Sequence, residues 1–183
     1  MEIANTIIDD LRIAKFDSQV DLRGSFARLF CADKLHFIIG NRKILQINRS
    51  VTKKAGSIRG LHFQYPPNAE MKLVRCLNGK VWDIAVDLRL NSPTFLRWHA
   101  EELSSVNSKM MIIPEGFAHG FQVLEPDSEL LYLHTSHYNP KSEGGMRYDD
   151  PALGIDWPLP VSDISVRDRS YIHLETSFKG IVI

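Results

Sequence analysis

The sequence lacks the features that would mark a polyanion binder, a disulfide-stapled domain or a membrane span. Its 183 residues carry 22 Lys and Arg against 22 Asp and Glu, so the formal net charge is zero. No global field draws nucleic acid, although a local basic pocket for a small charged substrate is allowed. There are two cysteines, Cys31 and Cys76, both inside apolar stretches and without CxxC or Cys/His spacing. They read as buried free thiols in a reducing compartment. No apolar run approaches the roughly 18 residues a membrane helix requires. The opening stretch MEIANTIIDDLRIAK reaches acidic residues too early for a signal peptide. A cytoplasmic protein that binds neither membrane nor nucleic acid is expected. Internal repeats, low-complexity tracts and linkers are also missing, so one domain over residues 1–183 is the expectation.

What is present is a period of two, and no long segment keeps a 3.6-residue spacing. KLVRCL and KVWDIAVDLR flank Asn78-Gly79, a strong hairpin signal because a type I′ turn needs positive φ at both central residues. That reading pairs Cys76 with Val81, Val74 with Asp83 and Lys72 with Ala85. Lys72, Val74 and Cys76 then share a face with Val81, Asp83, Ala85 and Asp87. A second hairpin over 118–135, turning at Glu125-Pro126-Asp127-Ser128, pairs Phe121 with Tyr132 and His119 with His134. Residues 43–50 and 57–64 read as further strands, with helical turns around 32–37 and 162–168. Residues 149–160 read as an ordered surface crossing pinned by Trp157. Many short strands at this spacing indicate an all-β sandwich or barrel.

Several side chains on these strands carry chemistry. His62 is a candidate general base, since an imidazole titrates near neutrality and can take a proton from an acidified carbon. The charge that then moves onto a carbonyl oxygen needs a cation. Lys72, with Asp83 and Asp87 as neighbours, fits that need. Tyr132, beside His119, is a candidate proton donor. Singly, each of these residues reads as readily as a packed core side chain. Arg23, Arg59, Arg75 and Arg147 offer bidentate contacts to a diphosphate, with Arg75 read as an exposed charge on a strand face. Strict alternation sets Arg59 and His62 on opposite faces, and a bulge near Gly60 would bring them together.

PEGFAH (114–119) resembles the PxGxxH motif of cupin jelly-roll barrels, and GLHFQYPPNAE (60–70) loosely resembles their HxHx(3,4)E motif. Here Gln64 replaces the second histidine and Glu70 falls late, so a two-histidine metal site at His62 and His119 is the weaker alternative. Together with DLRGSF (21–26), GSIRGLHFQYPP (56–67), KLVRCLNGKVWDIAVDLR (72–89), NSPTF (91–95), IPEGFAHGF (113–121) and MRYDDPALGIDWPL (146–159), these stretches resemble the dTDP-4-dehydrorhamnose 3,5-epimerase family.

The resemblance implies an all-β, cupin-type jelly-roll barrel with a few short helices, assembled as a homodimer and using no metal or organic cofactor. It implies a nucleotide-linked 4-keto-6-deoxyhexose substrate, dTDP-4-dehydro-6-deoxy-D-glucose, epimerised at C3, C5 or both. By the same resemblance His62 is the base, Asp168 its orienting carboxylate, Lys72 the enolate stabiliser and Tyr132 the acid. Arg59 and His119 lie near the diphosphate and sugar, and Gln46 and Asn48 are polar pocket residues. Arg23 and Phe26 reach the partner subunit's nucleotide site, and Tyr138 lies against the base. The chain departs from the family pattern at Arg28, where an acidic residue is usual, and at His134, where a Lys is usual. Rival readings are a nucleotide-sugar 3,4-ketoisomerase, a non-catalytic sugar-nucleotide-binding cupin and a metal-dependent cupin dioxygenase.

Overall fold

Alternation along the strands decides which side chains meet. In the computed structural model, which describes residues 1–183, fourteen strands and two short helices follow one another. The strands are β1 Glu2–Asn5, β2 Arg12–Lys15, β3 Ser18–Asp21, β4 Gly24–Ala27, β5 Gln46–Thr52, β6 Ser57–Gln64 and β7 Lys72–Asn78. They continue with β8 Lys80–Asp87, β9 Trp98–Ser104, β10 Lys109–Ile113, β11 Phe117–Val123, β12 Ser128–His134, β13 Glu143–Gly145 and β14 Asp163–Ile164. Helix α1 is Ala32–Ile39, between β4 and β5, and α2 is Val166–Ser170.

One sheet has the order β1-β2-β10-β7-β12-β5 and the other β13-β6-β11-β8-β9, with β14 parallel to β6. Together they form a cupin-type jelly roll. Between them Val74, Cys76, Val81, Ala85, Met111, Phe121 and Leu130 pack as one core. The opposite face of the first sheet is covered by α1, through Leu35 and Ile39 on Leu73, Met110 and Leu133. The opposite face of the second is covered by C-terminal residues, where Met146, Leu153 and Trp157 meet Leu61, Ile84 and Val86. Trp157 is fixed by its indole N–H on the Tyr148 carbonyl (2.9 Å) and by the Trp82 ring, so the crossing over 149–160 is ordered as expected.

Neither predicted hairpin forms. β7 pairs with β10 and β12, and β8 with β9 and β11. The Asn78-Gly79 and Glu125–Ser128 turns each carry the chain from one sheet to the facing one. They lock together at one end of the barrel: Ser128 Oγ accepts from the Lys80 amide (3.0 Å), and Asn78 Nδ2 donates to the Asp127 carbonyl (3.0 Å). Gly79 does have the positive φ, +71°, that the turn signal announced. The predicted partners Val74 and Asp83 therefore stand on facing sheets. Tyr132 lies opposite Val74 instead of Phe121, and His134 opposite Lys72 instead of His119. The predicted faces hold because a period of two fixes the face and says nothing of the neighbour.

Three smaller expectations are corrected. Arg75 is not exposed but 4% accessible, with its guanidinium over the Phe16 ring. Cys31 is half-buried and only Cys76 is fully buried. The helical turn expected from residue 162 starts later, because residues 163–164 pair with β6 and Ser165 caps α2. No helix is long and apolar enough to cross a membrane.

Candidate active site

A cleft of about 610 Å³ opens between the two sheets. Its inner wall is set by β6, which has an irregularity in the middle. His62 lies opposite His119 and Arg59 opposite Phe121, so three residue steps on β6 match two on β11. This bulge turns Arg59 and His62 into the same cleft, as the sequence allowed but did not require. It needs glycine at position 60, where φ is +114° and a Cβ would stand 2.6 Å from the Gly120 Cα.

His62 Nε2 lies 2.7 Å from Asp168 Oδ1. Asp168 is held in turn by the cap of α2, where its own amide donates to Ser165 Oγ (3.0 Å), and by the Gly60 amide donating to Oδ2 (3.2 Å). Burial opposes ionisation of this carboxyl, but the His62 contact and the amide outweigh it and hold it below the usual carboxylate range. Arg167 Nη2 also approaches His62 Nε2, at 3.2 Å. One nitrogen cannot donate to a carboxylate and accept from a guanidinium at once. The shorter contact assigns the proton to Nε2 and leaves Nδ1 as the basic nitrogen.

Lys72 Nζ donates to the His62 carbonyl at 3.2 Å and lies 3.3 Å from Glu70 Oε1. Its carboxylate partner is Glu70 and not the expected pair. Asp87 is spent on Arg89, Ser92 and Thr94, and Asp83 Oδ1 lies 2.8 Å from His119 Nε2. Across the cleft Tyr132 meets His119 edge to face, with ring centroids 6.0 Å apart, and its hydroxyl is 3.3 Å from Ser50 Oγ. Burial pushes the Tyr132 phenol well up, so it stays protonated at neutral pH.

Arg59, Asn48, His119 and Tyr138 also line the cleft. Gln46 sits next to it, bonded to Asn48 and to the Tyr138 amide. Arg23 and Phe26 are elsewhere, on the β3–β4 hairpin, where Arg23 folds onto Asp21 and Phe26 is exposed. Arg147 is paired with Asp149 outside the cleft, and Arg75 faces away from it. No three His, Cys, Asp or Glu side chains converge in ligand geometry.

A family model described as dTDP-4-dehydrorhamnose 3,5-epimerase matches residues 5–176. The chain belongs to this epimerase family. It is 42% identical over 172 residues to the dTDP-4-dehydrorhamnose 3,5-epimerase of Salmonella typhimurium, covering 93% of each chain. It is similar to the Legionella pneumophila dTDP-6-deoxy-D-glucose-3,5-epimerase solved with dTDP-4-keto-L-rhamnose, at 40% identity and a TM-score of 0.88, over 93% of this chain and 90% of that one. The Bacillus anthracis dTDP-4-dehydrorhamnose 3,5-epimerase, solved with TDP and pyrophosphate, superposes with a TM-score of 0.91 at 34% identity, over 94% and 99% of the two chains. Epimerases interconvert stereoisomers, so the enzyme class is isomerase.

In this family member, three cleft residues, Ser50, Arg167 and Glu143, escape sequence reasoning, and Glu70 is read there only as a late carboxylate of the metal motif. Glu70 was discoverable, since it lies two residues before Lys72 and so on the same face. Ser50 follows from Asn48 in the same way along β5. Arg167 and Glu143 form an ion pair at 3.1 Å at the cleft mouth, and Tyr138 Oη donates to the same carboxylate at 3.0 Å. Nothing in their local sequence announces that contact.

Proposed function

We propose that the enzyme epimerises a nucleotide-linked 4-keto-6-deoxyhexose, dTDP-4-dehydro-6-deoxy-D-glucose, at C3, C5 or both. The C4 ketone acidifies the protons on both flanking carbons. His62, its Nε2–H held by Asp168, takes one of them through Nδ1, and the carbon's electron pair moves into an enolate. Lys72 donates to the enolate oxygen, which strengthens as charge develops there. Tyr132 gives its hydroxyl proton to the opposite face of the carbon, and inversion results. His62 is left protonated and Tyr132 ionised, and proton exchange through solvent restores both.

The observation that carries this reading is the 2.7 Å contact between His62 and Asp168, in a cleft whose walls also hold Lys72 and Tyr132. Arg59 and His119 are assigned to the diphosphate and sugar, Gln46 and Asn48 to polar contacts and Tyr138 to the base. Arg23 and Phe26 are assigned to the nucleotide site of a second copy, in a homodimer. The β3–β4 hairpin supports this assembly: it has no third strand, and it exposes Val20, Leu22 and Phe26 to solvent. The chain is taken to work as one domain in the cytoplasm, where Cys31 and Cys76 stay unpaired.

The test is product analysis by NMR with dTDP-4-keto-6-deoxyglucose. Inversion at C3, C5 or both is expected, and the spectrum says which. Recovery of unchanged sugar, or migration of the keto group to C3, would overturn the reading.

A further inference from the structure

The proposed reaction uses neither Glu70 nor His134, yet both are nearly buried in the cleft wall. The β7–β12 register sets Lys72 directly opposite His134. One carboxylate serves both residues: Glu70 Oε2 lies 2.7 Å from His134 Nδ1, and Oε1 lies 3.3 Å from Lys72 Nζ. The side chains of Glu70, Lys72 and His134 are 8%, 10% and 12% accessible, so water has little access to replace any link.

These links belong to a longer chain with a fixed direction. It begins at a backbone amide, which can only donate: Tyr138 N–H to Gln46 Oε1, 3.1 Å. That fixes the Gln46 amide, whose Nε2 donates to Asn48 Oδ1 at 3.1 Å. Asn48 then turns its Nδ2 toward His134 Nε2, 3.3 Å away, so that this ring nitrogen accepts. The ring proton is left on Nδ1, facing Glu70. Glu70 is thereby held at one oxygen while the other faces the ammonium, which also donates to the His62 carbonyl. Every link has only one possible sense once the first is set.

We propose that His134 and Glu70 are positioning residues for Lys72, with His134 held as the neutral Nδ1–H tautomer by the chain that starts at the Tyr138 amide. This rests on the proposed function, because positioning matters only if Lys72 meets a developing oxyanion. The competing account is that His134 merely packs its ring on Tyr132, with which it stacks at 6.0 Å.

Two substitutions separate the accounts. His134→Asn retains a donor near Nδ1 and discards the ring. His134→Phe retains the ring and discards both hydrogen bonds. A displaced ammonium loses its bond chiefly in the transition state, so His134→Phe is expected to lower kcat about 10- to 100-fold with KM nearly unchanged. His134→Asn is expected to recover most of that loss. Phe performing as well as Asn, or better, would overturn the inference. Long-range proton–nitrogen NMR of the wild-type histidine rings needs neither variant to fold nor any substrate. It should report His134 as the Nδ1–H tautomer, and an Nε2–H tautomer overturns the inference. Wild-type enzyme that leaves the keto sugar unchanged would instead bring down the proposed function, which the tautomer measurement does not touch.

Discussion

At the residue scale the cleft separates two roles by environment. Asp168 keeps its charge because the His62 imidazole, the Gly60 amide and the Ser165 side chain together outweigh the cost of burying it. Tyr132 keeps its proton because burial penalises the phenolate. Asp168→Asn should leave the fold intact and lower kcat about 10²- to 10⁴-fold, since an amide no longer fixes the His62 tautomer. The same carboxyl has a signature in stability. Its folded value lies below the ordinary 3.8, so its contribution is present above 3.8 and lost as pH falls through the folded value. Urea midpoints of wild type should therefore fall more steeply below about pH 4 than those of Asp168→Asn. Tyr132→Phe should separate proton removal from inversion, exchanging solvent hydrogen at the flanking carbons while accumulating little epimer by NMR. Unchanged epimerisation would take Tyr132 out of its role. Of these residues, His62, Lys72 and Tyr132 could be read from residue chemistry and strand face. Asp168 lies 106 positions from His62 and was indicated only by the family resemblance.

At the scale of elements the decisive feature is the β6 bulge. Gly60 approaches the β11 backbone so closely that Gly60→Ala sets a methyl group 2.6 Å from the Gly120 Cα and 2.7 Å from the His119 carbonyl, at a φ that L residues avoid. We expect a destabilisation of at least about 2–3 kcal/mol in chemical denaturation, with loss of activity in whatever protein remains folded. Wild-type stability would show that the bulge is not needed. Alternation gave the inward faces of β7, β8, β11 and β12 correctly, and so the shared cleft of His119, Tyr132 and His134. It misassigned their partners, because an Asn-Gly turn reports a reversal of direction equally well when the chain crosses between sheets. The actual pairing sets His134 against Lys72, which no local hairpin reading can supply.

At the scale of the molecule, two sheets share an inner core and each has a covered outer face, but the β3–β4 hairpin remains without a neighbour. In the proposed homodimer, replacing Leu22 and Phe26 together by Ser should shift the assembly toward monomer in sedimentation velocity and raise KM for the nucleotide sugar, while thermal unfolding of the barrel changes little. An unaltered sedimentation coefficient would remove the hairpin from the interface. The proposed function turns on one event, removal of hydrogen from carbon by His62, and deuterium wash-in measures it directly. Turnover of dTDP-4-keto-6-deoxyglucose in heavy water should place deuterium at each inverted carbon, and His62→Asn should abolish it. Epimer formed without deuterium, or wash-in that persists in His62→Asn, would contradict the account.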